Sequence, residues 1–250
     1  MTRRRWFLLL LLAGGLRLAA ADVLLAAATD EELQPVRARL VDLRTETRAG
    51  WQFWLGTLDG RSLVLTRTEG DPLNAVAATT LAIRRYAPRL VISCGAARAH
   101  DPALRPGDVV VSREFAAFDG MVSPHRELGA GTAPLTWHKM PHPLMTSGEQ
   151  ETRQERFPAD PDTLARAGKL AAVRGRVVAG VLGSAHQVNR EADRIAYLRA
   201  QWGTDTEDGE SAHIAGCALL FGVPAFGLRV VDGQPGEAAA LVLQLLEAKP

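Results

Sequence analysis

Between Glu207 and Asp232 the chain reads Glu-Asp-Gly-Glu-Ser-Ala-His-Ile-Ala, then Phe221-Gly222-Val223-Pro224, then Phe226-Gly227-Leu228-Arg229-Val230-Val231-Asp232. No other stretch limits the fold as strongly. Ala212, Ile214, Ala215, Ala218, Leu219 and Phe221 give a mostly apolar helix. Gly222-Val223-Pro224 stops it, since glycine accepts the left-handed backbone that ends helices and proline cannot continue the hydrogen-bond ladder. A short apolar strand follows. Strands alternate with helical stretches throughout, and 250 residues with 47% hydrophobic content can bury a large core. A single α/β domain is expected.

Acidic residues punctuate this frame. Glu210 falls at the start of the helix, where the helix dipole favours a carboxylate, and Asp208 is placed to cap free backbone amides. Near the other end of the chain, Thr29-Asp30-Glu31-Glu32 is a Thr-x-x-Glu capping box at the start of a helix. By spacing alone both acids read as helix caps.

A series of motifs adds a second reading. Val23 to Ala28 followed by Thr29-Asp30-Glu31-Glu32-Leu33, Asn74-Ala75-Val76-Ala77-Ala78, Leu90 to Ala97, Leu104-Arg105-Pro106-Gly107-Asp108-Val109-Val110-Val111, and Glu210-Ser211 with Val223-Pro224 and Arg229-Val230-Val231 occur in that order. The series resembles the family of purine nucleoside phosphorylases and of the nucleosidases that split methylthioadenosine and adenosylhomocysteine. The resemblance implies a three-layer α/β/α sandwich around a central mixed sheet, of the phosphorylase/hydrolase type. It also implies cleavage of the N-glycosidic bond of a purine nucleoside, with no metal and no cofactor.

That chemistry needs a protonated leaving base, a stabilised cation-like ribose and an aimed water. By resemblance, Glu32 activates the water and Glu210 holds the ribose hydroxyls, flanked by Gly209 and Ser211. Gly95, Ala96 and Ala97 match the backbone turn that approaches the nucleoside. Gly180 to Asn189 resembles the loop that supplies an aromatic ring to the purine, with Val188 near the aromatic position and His186 where an aspartate is usual. The family's base-protonating aspartate falls in register on Gly233, one residue after Asp232. Asp232 therefore serves as the acid only if the turn is rearranged, because a one-residue slip at a strand end turns a side chain to the opposite face. Gly209 and Arg98 also depart from the family, which has a methionine and a small residue there.

Hydrolysis is expected over phosphorolysis, since Glu32 suits water activation and the candidate anion ligands, Arg98 and Arg113, lie in no clear phosphate motif. A phosphorylase, and a nucleoside-binding protein without catalysis, remain the alternatives. Two histidines four apart, His138 and His142, do not read as a metal pair, because Pro141 and Pro143 oppose the helix that would align them. The segment from Phe115 to Asp160 is expected to form a loop over the pocket, with Trp137, Met140 and Met145 as lining or as partner-subunit contacts in a homo-oligomer, a homodimer by resemblance.

Residues 1–21 form a separate unit from the domain at 22–250. Arg3-Arg4-Arg5, the short apolar run from Trp6 to Leu16, and Ala19-Ala20-Ala21 read as a secretory signal peptide cleaved near Ala21, and the run is short for a membrane span. The expected location is periplasmic or secreted. Losing Arg3, Arg4, Arg5 and Arg17 takes the net charge from +1 to −3. No basic tract then remains to suggest nucleic acid as a partner. Cys94 and Cys217 lie in apolar segments and read as core residues rather than a disulfide framework.

Overall fold

The computed structural model describes residues 20–145 and 151–247. The signal-peptide reading of residues 1–21 falls almost wholly outside them. The strands are β1 (Val23–Ala27), β2 (Val41–Arg48), β3 (Trp51–Leu58), β4 (Arg61–Arg67), β5 (Leu90–Ala99), β6 (Val109–Ala117), β7 (Met121–Val122), β8 (His138–Lys139), β9 (His142–Met145), β10 (Glu151–Gln154), β11 (Phe157–Pro158), β12 (Val177–Ser184), β13 (Thr206–Asp208) and β14 (Ala225–Val231). The helices are α1 (Asp30–Arg37), α2 (Pro72–Tyr86), α3 (Pro161–Ala167), α4 (Ala192–Trp202), α5 (Ser211–Leu220) and α6 (Glu237–Glu247).

One large mixed sheet runs β11-β6-β12-β13-β5-β1-β4-β3-β2, with β14 paired to both β5 and β6. β1 lies parallel to β4 and β5, and β14 parallel to β5, whereas β13 meets β5 antiparallel. The period-two alternation of buried strands distributes each to two cores. Val23, Leu25 and Ala27 of β1, with Phe226, Leu228 and Val230 of β14, pack under Leu33 and Val36 of α1 and Leu241, Val242 and Leu245 of α6. Leu24 and Ala26, from the opposite face of β1, pack with Ala75 and Ala82 of α2 and Ala212, Ile214 and Ala218 of α5. Helices on both faces complete the α/β/α sandwich. Each fully buried leucine here contributes roughly 1.5–3 kcal/mol relative to exposure.

Ala21 is already part of this fold: its N–H donates to Tyr86 O at 2.8 Å and its carbonyl accepts from Arg89 N at 3.0 Å. Cleavage after Ala21 would remove both bonds. Among the described residues no helix is long and apolar enough to cross a membrane.

The segment expected to lie over the pocket contains short strand pairs. β7 pairs with β8, β9 pairs with β10, and β11 adds to the sheet against β6. Trp137 is held by its carbonyl, which accepts from Tyr197 Oη, while Met140 and Met145 are 50% and 61% exposed. β11 joins the end of this segment to the main sheet at β6.

Candidate active site

At the carboxyl ends of β5 and β12, where open α/β sheets hold their ligands, lies a cleft of about 500 Å³. Its lining is Gly70, Ala96 to Arg98, Ala185 to Val188, Glu207 to Gly209, and Asp232.

Glu32 reaches this site while still capping its helix. Thr29 Oγ1 accepts from Glu32 N at 3.2 Å, and Glu32 Oε2 accepts from Ala28 N at 2.9 Å and Thr29 N at 3.3 Å. The second oxygen, Oε1, accepts from Ala96 N at 3.3 Å on the cleft floor. Gly95 makes the approach possible: a Cβ there would stand 2.9 Å from Glu32 Oε1. The capping box and the site position are thus one geometry.

Glu210 sits at the N-cap of α5 rather than inside its first turn, and is 3% exposed. The cap hydrogen bonds come from Asp208, whose Oδ1 accepts from Glu210 N and Ser211 N, both at 2.7 Å. That frees the Glu210 side chain to turn toward Thr68 and Arg229. Arg229, on β14, is 1% exposed and donates from Nη2 to Ser93 Oγ at 2.8 Å. Its Nε lies 3.1 Å from Asp208 Oδ2 and its Nη2 3.9 Å from Glu210 Oε1. The shorter contact dominates. Burial opposes ionisation of Asp208, yet Arg229 and the hydrogen bonds from Ser211 and Glu210 hold its carboxyl below the usual range. Burial pushes Glu210 up to about 7, outweighing the pull of Arg229 and Thr68.

The hydrogen bonds agree with a protonated Glu210. Thr68 Oγ1 lies within bonding distance of both Ala27 O and Glu210 Oε2. One hydroxyl carries one hydrogen, and a carbonyl cannot donate. Both contacts are satisfied when Thr68 donates to Ala27 O and Glu210 supplies the second hydrogen.

Other residues named from the sequence fall into two groups. Ala96, Ala97, His186, Val188 and Gly209 line the cleft, whereas Ser211 is fully buried with its hydroxyl donating to Asp208 Oδ2 at 2.6 Å. Ser211 therefore fixes the acid pair from behind instead of facing a ligand. Gly209 leaves no room for the methionine usual there, as its Cβ would stand 2.2 Å from Gly70 O. Val188 is 63% exposed and offers an apolar edge, not a ring. His186 Nδ1 lies 3.4 Å from Asp71 Oδ2, bridging the two rims.

Asp232 occupies the turn that sequence register left open. Its φ is 45°, a left-handed conformation that aspartate tolerates better than most residues. Asp232 N donates to Ala97 O at 2.9 Å and Gly233 N to Val230 O at 3.2 Å, a tight reversal that keeps Asp232 among the cleft-lining residues. Arg98 lines the cleft as well, and among the described residues no acid lies within ion-pair distance of it; Arg113 is not among the lining residues. Residues that sequence reasoning passed over are Thr68, Gly70 and the buried pair Glu207–His100. Arg229 did carry a signal, for a charge inside an apolar strand must be paired. Among the described residues no cluster of three or more His, Cys, Asp or Glu suits a metal ion.

Residues 22–247 match the family model described as the phosphorylase superfamily. The 5'-methylthioadenosine/S-adenosylhomocysteine nucleosidase of Marinomonas sp. (strain MWYL1) is 28% identical over 211 residues, 84% of either chain. The structure of the nucleosidase of the same name from Neisseria meningitidis, in complex with methylthio-immucillin-A, gives a TM-score of 0.71 at 21% identity over 90% of this chain and 96% of that one. A futalosine hydrolase mutant of Helicobacter pylori strain 26695 gives 0.71 at 20% identity over 91% and 97%. At these identities the structures share the fold, and that fold carries more than one substrate.

Proposed function

Because this chain belongs to the phosphorylase superfamily over residues 22–247, we propose that it hydrolyses the N-glycosidic bond of a purine nucleoside of the methylthioadenosine/adenosylhomocysteine type, releasing the free base. The observation that carries this reading is that Glu32 and Glu210, from opposite ends of the chain, meet behind one cleft. Glu32 accepts from the cleft-lining Ala96 N, and Glu210, next to the cleft-lining Gly209, lies near enough to feel the charge of Glu32.

The residues divide the reaction by position. Glu32, anchored by three backbone N–H groups, accepts the proton of the water that attacks the anomeric carbon. Glu210 holds the ribose hydroxyls, and its charge, once the proton leaves, stabilises the cation-like sugar. Asp208 and Arg229 act through Glu210: Asp208 fixes its backbone, and Arg229 pulls against the burial that raises its carboxyl. Asp232, on the rim, supplies the proton to the departing base. Arg98 is one cation where phosphorolysis would need several donors around an oxyanion, which favours water as the nucleophile. The leader-like pattern of residues 1–21 supports export of the enzyme, and sequencing the N-terminus of the protein recovered from outside the cytoplasm tests that reading.

Incubating the purified domain with purine nucleosides, with and without phosphate, tests the activity. Base release without phosphate is expected; release only with phosphate makes the protein a phosphorylase. The reading fails if Glu32→Gln and Glu210→Gln both leave release unchanged.

A further inference from the structure

A second buried acid, Glu207, lies at the far end of the same cleft. Along β5, Glu32 sits on Ala96 and Glu207 is paired in register opposite Arg98. Two residues along a strand span about 7 Å, the separation between the sugar and the outer part of the base in one nucleoside. Glu207 is 5% exposed yet lines the cleft. Its carboxylate is fixed by three donors: Asn189 N to Oε1 at 3.0 Å, and Asn189 Nδ2 and His100 Nε2 to Oε2. His100 is itself buried, with Nδ1 2.7 Å from Thr204 Oγ1. When the Thr204 hydroxyl donates to Nδ1, the hydrogen of the neutral ring lies on Nε2 and points at Glu207. Despite burial, His100 and Asn189 hold the Glu207 carboxyl below its usual range. An ionised carboxylate has about four acceptor positions and no hydrogen. Three are taken here, which leaves one for a ligand.

We infer that Glu207 is the specificity-determining residue for the base, accepting a hydrogen bond from an amino group on the purine edge it faces, so that the cleft selects 6-aminopurines over 6-oxopurines. A carbonyl at that edge would set two acceptors against each other in a buried site, at the cost of an unmade hydrogen bond. The inference rests on the nucleosidase reading of this cleft, and it names which bases that site takes.

The test is the ratio of kcat/KM for adenosine to that for inosine in the wild-type domain and in Glu207→Gln. Glutamine keeps the volume and acquires an NH2 donor able to meet a 6-oxo group. The ratio is expected to favour adenosine in the wild type and to fall at least tenfold in the variant. A structural role alone would lower both substrates together, so an unchanged ratio overturns the inference. Should Glu207→Gln fail to fold, Glu207→Asp withdraws the carboxylate while keeping its charge and must lower the same ratio. Equilibrium binding of free adenine against free hypoxanthine separates the two readings. If the wild type releases no base yet prefers adenine in a Glu207-dependent way, the hydrolase reading falls and the assignment of Glu207 stands; equal binding of the two bases overturns Glu207.

Discussion

Replacing Glu210 by glutamine isolates what it costs to keep a carboxylate buried beside the cleft. Burial raises this carboxyl from 4.5 to about 7 even with Arg229 close by. Between those values the folded protein binds a proton that the unfolded chain has released, so stability falls as pH rises. The loss begins near pH 4.5 and is complete above about 7. At 1.36 kcal/mol per pKa unit it amounts to roughly 3 kcal/mol. Glutamine keeps the contact with Thr68 but does not titrate. Urea unfolding of both proteins from pH 4 to pH 8 therefore gives a stability difference, variant minus wild type, that grows by roughly 3 kcal/mol across the series. Acids common to both proteins, Asp208 included, titrate in both and largely cancel. Base release by the variant should fall on the order of 100-fold or more, as the ribose loses its partner. A stability difference that is flat with pH, or that shrinks as pH rises, would refute the argument that Glu210 is protonated by burial.

Three further substitutions probe the rest of the site. Glu32→Gln should cut base release by about 10²–10⁴ while shifting urea stability by less than about 1 kcal/mol, because glutamine can also close a capping box. Arg229→Met leaves Asp208 and Glu210 buried without a cation and should lower stability by about 3–5 kcal/mol, read from the denaturation midpoint. Asp232→Asn keeps a residue that tolerates φ near 45°, so the fold should hold while base release falls by about 10²–10⁴.

Much of the frame follows from neighbours in the chain. The Thr29–Glu32 box, the apolar helix from Ser211, its stop at Gly222 and Pro224, and the apolar runs of β1 and β14 all depend on residues within one or two turns of each other. Local backbone chemistry settles such features, so they can be read in order along the sequence. The hairpins between Met121 and Gln154 were not legible, because Pro, Gly and His interrupt any period there. Ser211 was misleading for a different reason: its position beside Glu210 gives no hint that its hydroxyl is spent on Asp208.

The sequence by itself determined the sandwich, the acids and their placement at strand and helix ends. Tertiary structure decided what those acids can do. Burying Arg229 between Asp208 and Glu210 separates two carboxyls that look alike in sequence, one held ionised and one pushed to about 7. Joining His100 to Glu207 across 107 positions makes an acceptor at the base end. Bending Val231 to Gly233 keeps Asp232 on the cleft. Protonation and direction depend on solvent exclusion and on partners far away in the chain, and only the folded packing supplies both.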